Sequence, residues 1–150
     1  MELERVLSYE GGFSTREVLP LVRGYRFPAP FPLASGAVEV REKGVFLGQG
    51  RLPLAGEGEE VRFDLGQDLE ARALRILRLL VQTEKEATFE VETWVKNPYP
   101  YPALLRVKEV FPRPFRLEGE VQALPEGYRL ERRLAPGEEV LWRFRVSLPR

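Results

Sequence analysis

Apolar and polar residues alternate with period two along much of this chain. In 139–148, Val140, Trp142, Phe144, Val146 and Leu148 fall on one face, and Glu139, Arg143, Arg145 and Ser147 on the other. In 87–96, Ala87, Phe89, Val91, Thr93 and Val95 oppose Thr88, Glu90, Glu92, Trp94 and Lys96. The stretch 115–123 reads as one more alternating run, and 60–65 repeats the pattern briefly. One apolar and one wet face per strand predicts antiparallel sheets. Turn signals separate the runs. Lys43-Gly44 predicts a tight hairpin, and Gly127 and Gly137 sit where turns use positive φ. The prolines of "FPAPFPL" (27–33) predict an edge or an extended connector.

One segment breaks the pattern. In "DLEARALRILRLLVQ" (68–82), Arg72, Arg75 and Arg78 recur every third residue beside a Leu74, Leu77, Leu80/Val81 stripe. Ala, Leu and Arg are good helix formers, so local reading predicts a helix.

Composition removes chemistry. The 150 residues include no Cys and no His. Disulfides, thiolate nucleophiles, His-based zinc sites and Ser-His pairs are therefore excluded. The expectation is no catalytic residue, no cofactor and no metal. Asp64, Asp68 and Glu70 crowd around Gly66 but lack a calcium-loop spacing, and they read as an ordinary turn. Twenty-three basic residues balance 23 acidic ones, so no long-range attraction to nucleic acid is expected. The "RLERR" cluster (129–133) reads as a solvated face. No apolar run is long enough for a membrane helix. The start, "MELERVLSYE", does not read as a secretory signal, so a cytoplasmic location is expected. Four of the 23 basic residues are Lys, leaving 19 Arg. With 13 Pro and a single Asn, this points to a thermophilic composition.

Three blocks, taken in order, carry a resemblance. They are "SGAVEVREKGVFLGQGRLPLAGEGEEVRFDLGQD" (35–68), "FEVETWVKNPYPYPALLRVKEVFPRP" (89–114) and "YRLERRLAPGEEVLWRFRVSLP" (128–149). Together, over roughly 35–149, they resemble the C-terminal β domain of the mucoidy-inhibitor-A-like proteins, a domain with no assigned activity. The resemblance implies an extended conformation for 69–82 and tips that segment toward strand.

The fold expected is an all-β antiparallel sandwich in one unit, immunoglobulin-like over 85–150, with a possible N-terminal β lobe over 1–68. The function expected is a non-catalytic structural or protein-interaction module, possibly a homodimer. Trp94, on the polar face of its strand, and Tyr99 and Tyr101, in a turn stiffened by Pro98, Pro100 and Pro102, are the interaction candidates. The rival is a carbohydrate-binding or glycan-processing accessory module that uses the same three aromatics as a stacking platform. Asn97 is expected to hold the turn through backbone hydrogen bonds. Glu109, on an apolar strand face, is expected to pair with an arginine.

Overall fold

The computed structural model describes residues 3–150. The reading of the chain's start as no signal begins at Met1 and Glu2, outside the described residues. Those described form thirteen strands and no helix: β1 (Glu4–Gly12), β2 (Val18–Leu19), β3 (Val22–Pro28), β4 (Gly36–Glu42), β5 (Val45–Leu52), β6 (Glu60–Gln67), β7 (Ala73–Gln82), β8 (Glu86–Lys96), β9 (Ala103–Val110), β10 (Arg116–Gly119), β11 (Gln122–Leu124), β12 (Gly127–Leu134) and β13 (Glu139–Pro149).

A six-stranded sheet runs β11-β12-β9-β1-β3-β6, and a five-stranded sheet runs β10-β13-β8-β7-β2. Strand pairs are antiparallel except β1 with β9, which are parallel. The sheets pack face to face as a β-sandwich. Leu7, Leu105 and Val107 from one sheet meet Val91, Trp142, Phe144 and Val146 from the other. The alternation of β8 and β13 dictates this, since their inward residues Val91, Val95, Val140, Trp142, Phe144 and Val146 are all buried.

Strands β3 and β6 bury Tyr25, Phe27, Val61 and Phe63 in a second cluster. The β4–β5 hairpin covers it with Val40, and with Val38, Leu47 and Leu52 at its margin. Lys43 (φ 50°) and Gly44 (φ 78°) form its turn, as expected from the dipeptide. The proline-rich connector runs extended against 54–59, with Ala29 N–H on Glu59 O and Leu33 N–H on Ala55 O.

Three local expectations are corrected. Residues 68–82 hold no helix. Ala73–Gln82 pairs with β8 along its length, and that ladder outweighs helix propensity. The run 115–123 is two strands in different sheets, because the chain crosses between layers after Gly119. Gly127 is not a positive-φ turn residue. A side chain there would sit 1.8 Å from the Glu109 carbonyl oxygen, so close approach of β12 to β9 requires glycine.

Candidate functional site

A strongly polar cluster in the core is sealed. Arg75 on β7 and Glu109 on β9 join the two sheets, with both side chains at 0% exposure. The fork is bidentate: Nη1 donates to Oε1 at 2.6 Å and Nη2 to Oε2 at 2.8 Å. Arg75 also donates to Thr93 Oγ1 (3.0 Å), the Ser14 carbonyl (3.0 Å) and Tyr128 Oη (3.5 Å). Glu109 accepts further from the Tyr128 hydroxyl and the Ser14 N–H. Burial alone would lower the pKa of Arg75, but the hydrogen bonds and charge of Glu109 outweigh it and hold the guanidinium above its ordinary value. Burial first, and then the Glu109 charge, raise the Tyr128 hydroxyl. Every donor of this arginine has a partner and none faces solvent. The cluster ties sheet to sheet and offers no room for substrate. Glu109 thus pairs with an arginine, as its sequence context suggested.

The "NPYPYP" turn is likewise held from within. Asn97 is 0% exposed. Its Nδ2 donates to the carbonyls of Tyr101 (2.8 Å) and Ala135 (3.2 Å), and its Oδ1 accepts from Tyr99 N–H (3.1 Å). Tyr99 and Tyr101 stack with centroids 5.2 Å apart and planes 2° from parallel. The Arg5 guanidinium lies 3.5 Å from the Tyr101 centroid, and Arg5 is ion-paired with Glu42. The Tyr99 hydroxyl donates to Asp68 Oδ2 at 2.6 Å. Burial first, and then that bond, raise its pKa. Asp68 Oδ1 in turn accepts from the N–H groups of Glu70 and Ala71, the turn expected of this stretch. Both tyrosines are half-buried and committed to neighbours.

Trp94 stands elsewhere, on the outer face of the five-stranded sheet. Strand register sets Leu141 on β13 opposite Trp94, Leu74 on β7 opposite Trp94, and Val18 on β2 opposite Leu74. The result is one apolar row across four strands. Val18 is 43% exposed, Leu74 50% and the neighbouring Ile76 44%, while Trp94 and Leu141 are half-buried. The Glu92–Arg143 (2.8 Å) and Glu90–Arg145 (3.4 Å) pairs flank it. The row meets the edge of the sheet, where β7 continues with Leu79, Leu80 and Val81 at 52%, 42% and 56% exposure. The structure therefore separates Trp94 from the tyrosine pair. It also adds Val18 of β2 together with Leu74, Ile76, Leu79, Leu80 and Val81, which the helical reading of 68–82 concealed. Their signal was available: a strand register across "LRILRLLV" leaves apolar residues on both faces, one more than a single core can cover.

Two spaces lie beside Arg5. A space of ≈ 40 Å³ between Arg5, Arg23, Tyr99 and Tyr101 has room for a few waters at most. An open groove of ≈ 1020 Å³ beside Leu3 is lined by Glu4, Arg26, Glu60 and Arg133, which pair with one another. No group of three or more acidic residues among the described residues is arranged to hold a metal ion. No helix among them is long and apolar enough to cross a membrane. Compared with known proteins, the chain finds no matching family model and no significant similarity to a curated protein or a solved structure.

Proposed function

We propose that the chain is a non-catalytic protein-interaction module that associates with itself through the exposed apolar surface at the β7 side of its five-stranded sheet. One observation carries this reading. Of twelve large apolar side chains exposed among the described residues, five lie on β7: Leu74 and Ile76 share the outer face with Trp94, and Leu79, Leu80 and Val81 follow along the strand's free edge. Contiguous exposed apolar surface rimmed by charge is the usual mark of an association surface. The sealed Arg75–Glu109 cluster, and the mutual pairing of the charged residues that line the large groove, favour binding over catalysis. The glycan reading wants exposed aromatics in one row. Tyr101 instead stacks on Tyr99 and Arg5, and Trp94 lies on a different face, so the protein-interaction reading is preferred. The likeness to the C-terminal β domain of the mucoidy-inhibitor-A-like proteins belongs to the same proposal and rests on the three blocks quoted above. We read 85–150 as immunoglobulin-like on one ground: β8 to β9 and β12 to β13 each step between the two sheets.

Light scattering after gel filtration tests it. The wild-type chain should run at about twice its 17.3 kDa mass, falling to monomer on dilution. A mass of 17.3 kDa at every concentration overturns self-association.

A further inference from the structure

We infer that two copies join edge to edge, the free length of β7 pairing antiparallel with the same segment of a second copy to make one continuous sheet. This rests on the reading of the chain as self-associating and names the element that does it. Strand β2 is two residues long and covers only Ala73 and Leu74 of β7. The Arg75 N–H points away from β8 and donates to the Glu17 carbonyl at 2.7 Å. By strand alternation, the backbone groups of Leu77 and Leu79 also point away from β8. Beyond Arg75, no strand among the described residues pairs with that edge. The free segment, Ile76–Gln82, is roughly 20 Å of open ladder at the rise of a strand.

The strands at the other three ends of the two main sheets are defended in the ways such edges usually are. Strand β10 has four residues, including Arg116 and Glu118, and β11 has three. Strand β6 carries Glu60, Arg62 and Asp64. Between Ile76 and Gln82 the single charge is Arg78. The bulge between Leu79 and Val81 is the segment's one irregularity, and it places regular pairing around Leu77 and Leu79.

The apolar free edge, present once in each copy, selects a second copy as the occupant, and charge selects the direction. Arg78 is the free segment's one charge, and the turn that follows, Glu84-Lys85-Glu86, is mixed. Antiparallel self-pairing keeps the two Arg78 side chains apart. Parallel pairing would set like charges together. A register centred on Leu79 sets Ile76 opposite Gln82 and Arg78 opposite Leu80 of the second copy, never opposite itself, whereas one centred on Leu77 would run into β2 at Ala73 and Leu74. A two-fold axis also closes the assembly, so one pairing uses up both free edges.

The test combines hydrogen exchange with two variants. In concentrated wild type, the Leu77 and Leu79 amides should exchange at least about tenfold more slowly than on dilution. Leu79→Lys with Val81→Lys, both at exposed positions, should be monomeric with an unchanged circular dichroism spectrum. Trp94→Thr, on the face rather than the edge, should remain dimeric. If the Lys variant stays dimeric while Trp94→Thr becomes monomeric, the edge pairing is overturned and self-association through the face stands. A monomeric wild type overturns both. Should the Lys variant fail to fold, equal exchange of the Leu77 and Leu79 amides in dimer and monomer still refutes the edge pairing.

Discussion

On the outside of the six-stranded sheet, Arg26 meets Glu4 at 2.8 Å and Glu60 at 3.6 Å, Arg106 meets Glu60 at 3.1 Å, and Arg62 meets Glu10 at 3.1 Å. Val6 and Leu104 share that face by alternation, yet they are only 1% and 2% exposed. Long arginine stems around them account for it, since such side chains cover apolar surface while keeping their charge in water. Outside the five-stranded sheet, Leu74 and Ile76 sit in equivalent positions on their strand and have no such cover, at 50% and 44% exposure. Both faces use the same pleat and the same alphabet of residues. They differ in how the long charged side chains lie: Arg26, Arg62 and Arg106 lie down on the first face at 17%, 23% and 24% exposure, whereas Arg143 and Arg145 stand off the second at 53% and 55%. The first face is finished by its own chain, and the second is left for another.

The most severe way to break the comparison is to cut what both faces stand on. Glu109→Ala should cost about 3–5 kcal/mol in urea unfolding, because Arg75 is left charged, buried and unpaired. Arg75→Met with Glu109→Leu should recover most of that loss, since an apolar pair of similar volume carries no desolvation penalty. Loss of a kilocalorie or less in the single variant would mean that the interior pair does not join the sheets.

The contrast between finished and unfinished faces sharpens when charge is removed from the first. Arg106→Ala should change stability by only about 0.2–1 kcal/mol, as exposed ion pairs do, while raising association or lowering solubility because Leu104 is laid bare. A smaller effect is expected at Glu4. Burial tends to raise the Glu4 carboxyl, but hydrogen bonds from Arg26 and Arg133 outweigh it and hold it below 4.5. A lowered folded pKa contributes stability that is present above the unfolded value and lost as pH falls through the folded one. Glu4→Gln should therefore lower stability modestly at neutrality, where the carboxylate contributes, and the difference from wild type should vanish as pH falls below about 4.5. Tyr99 gives the mirror case. Its folded pKa is raised, so its contribution is full below the unfolded value of 10.0 and fades as pH rises beyond it. Tyr99→Phe should soften the alkaline limb of the unfolding profile.

How far the sequence reveals all this depends on which contacts decide each element. Strands β8 and β13 are plain from their alternation, because their inner faces are apolar except for Thr93 and their outer faces polar except for Trp94 and Leu141. The Lys43-Gly44 hairpin and the Asn97 turn are plain because local backbone chemistry makes them. Strand β7 is hidden. Its inner face carries Arg75, which is acceptable only because Glu109 lies opposite, 34 residues away. Its outer face carries Leu74 and Ile76, which look misplaced until the face is seen to be uncovered. Both features depend on long-range partners, so the local pattern defaults to a helix. The crossing after Gly119 is hidden for the same reason, since alternation continues through it. Trp94 is recognisable as unusual, an aromatic on a polar face. Its apolar neighbours come from β2, β7 and β13, and only the register collects them.

The claim that one face is complete and the other is an assembly surface is tested most directly by hydroxyl-radical footprinting of the wild-type chain, concentrated and dilute. The account predicts that oxidation of Leu79, Leu80 and Val81 falls on concentration, with Leu74, Ile76 and Trp94 falling where the second copy reaches them. The side chains outside the six-stranded sheet should be unchanged. Protection on the Arg26–Arg106 face, or equal reactivity of both faces at every concentration, would contradict it.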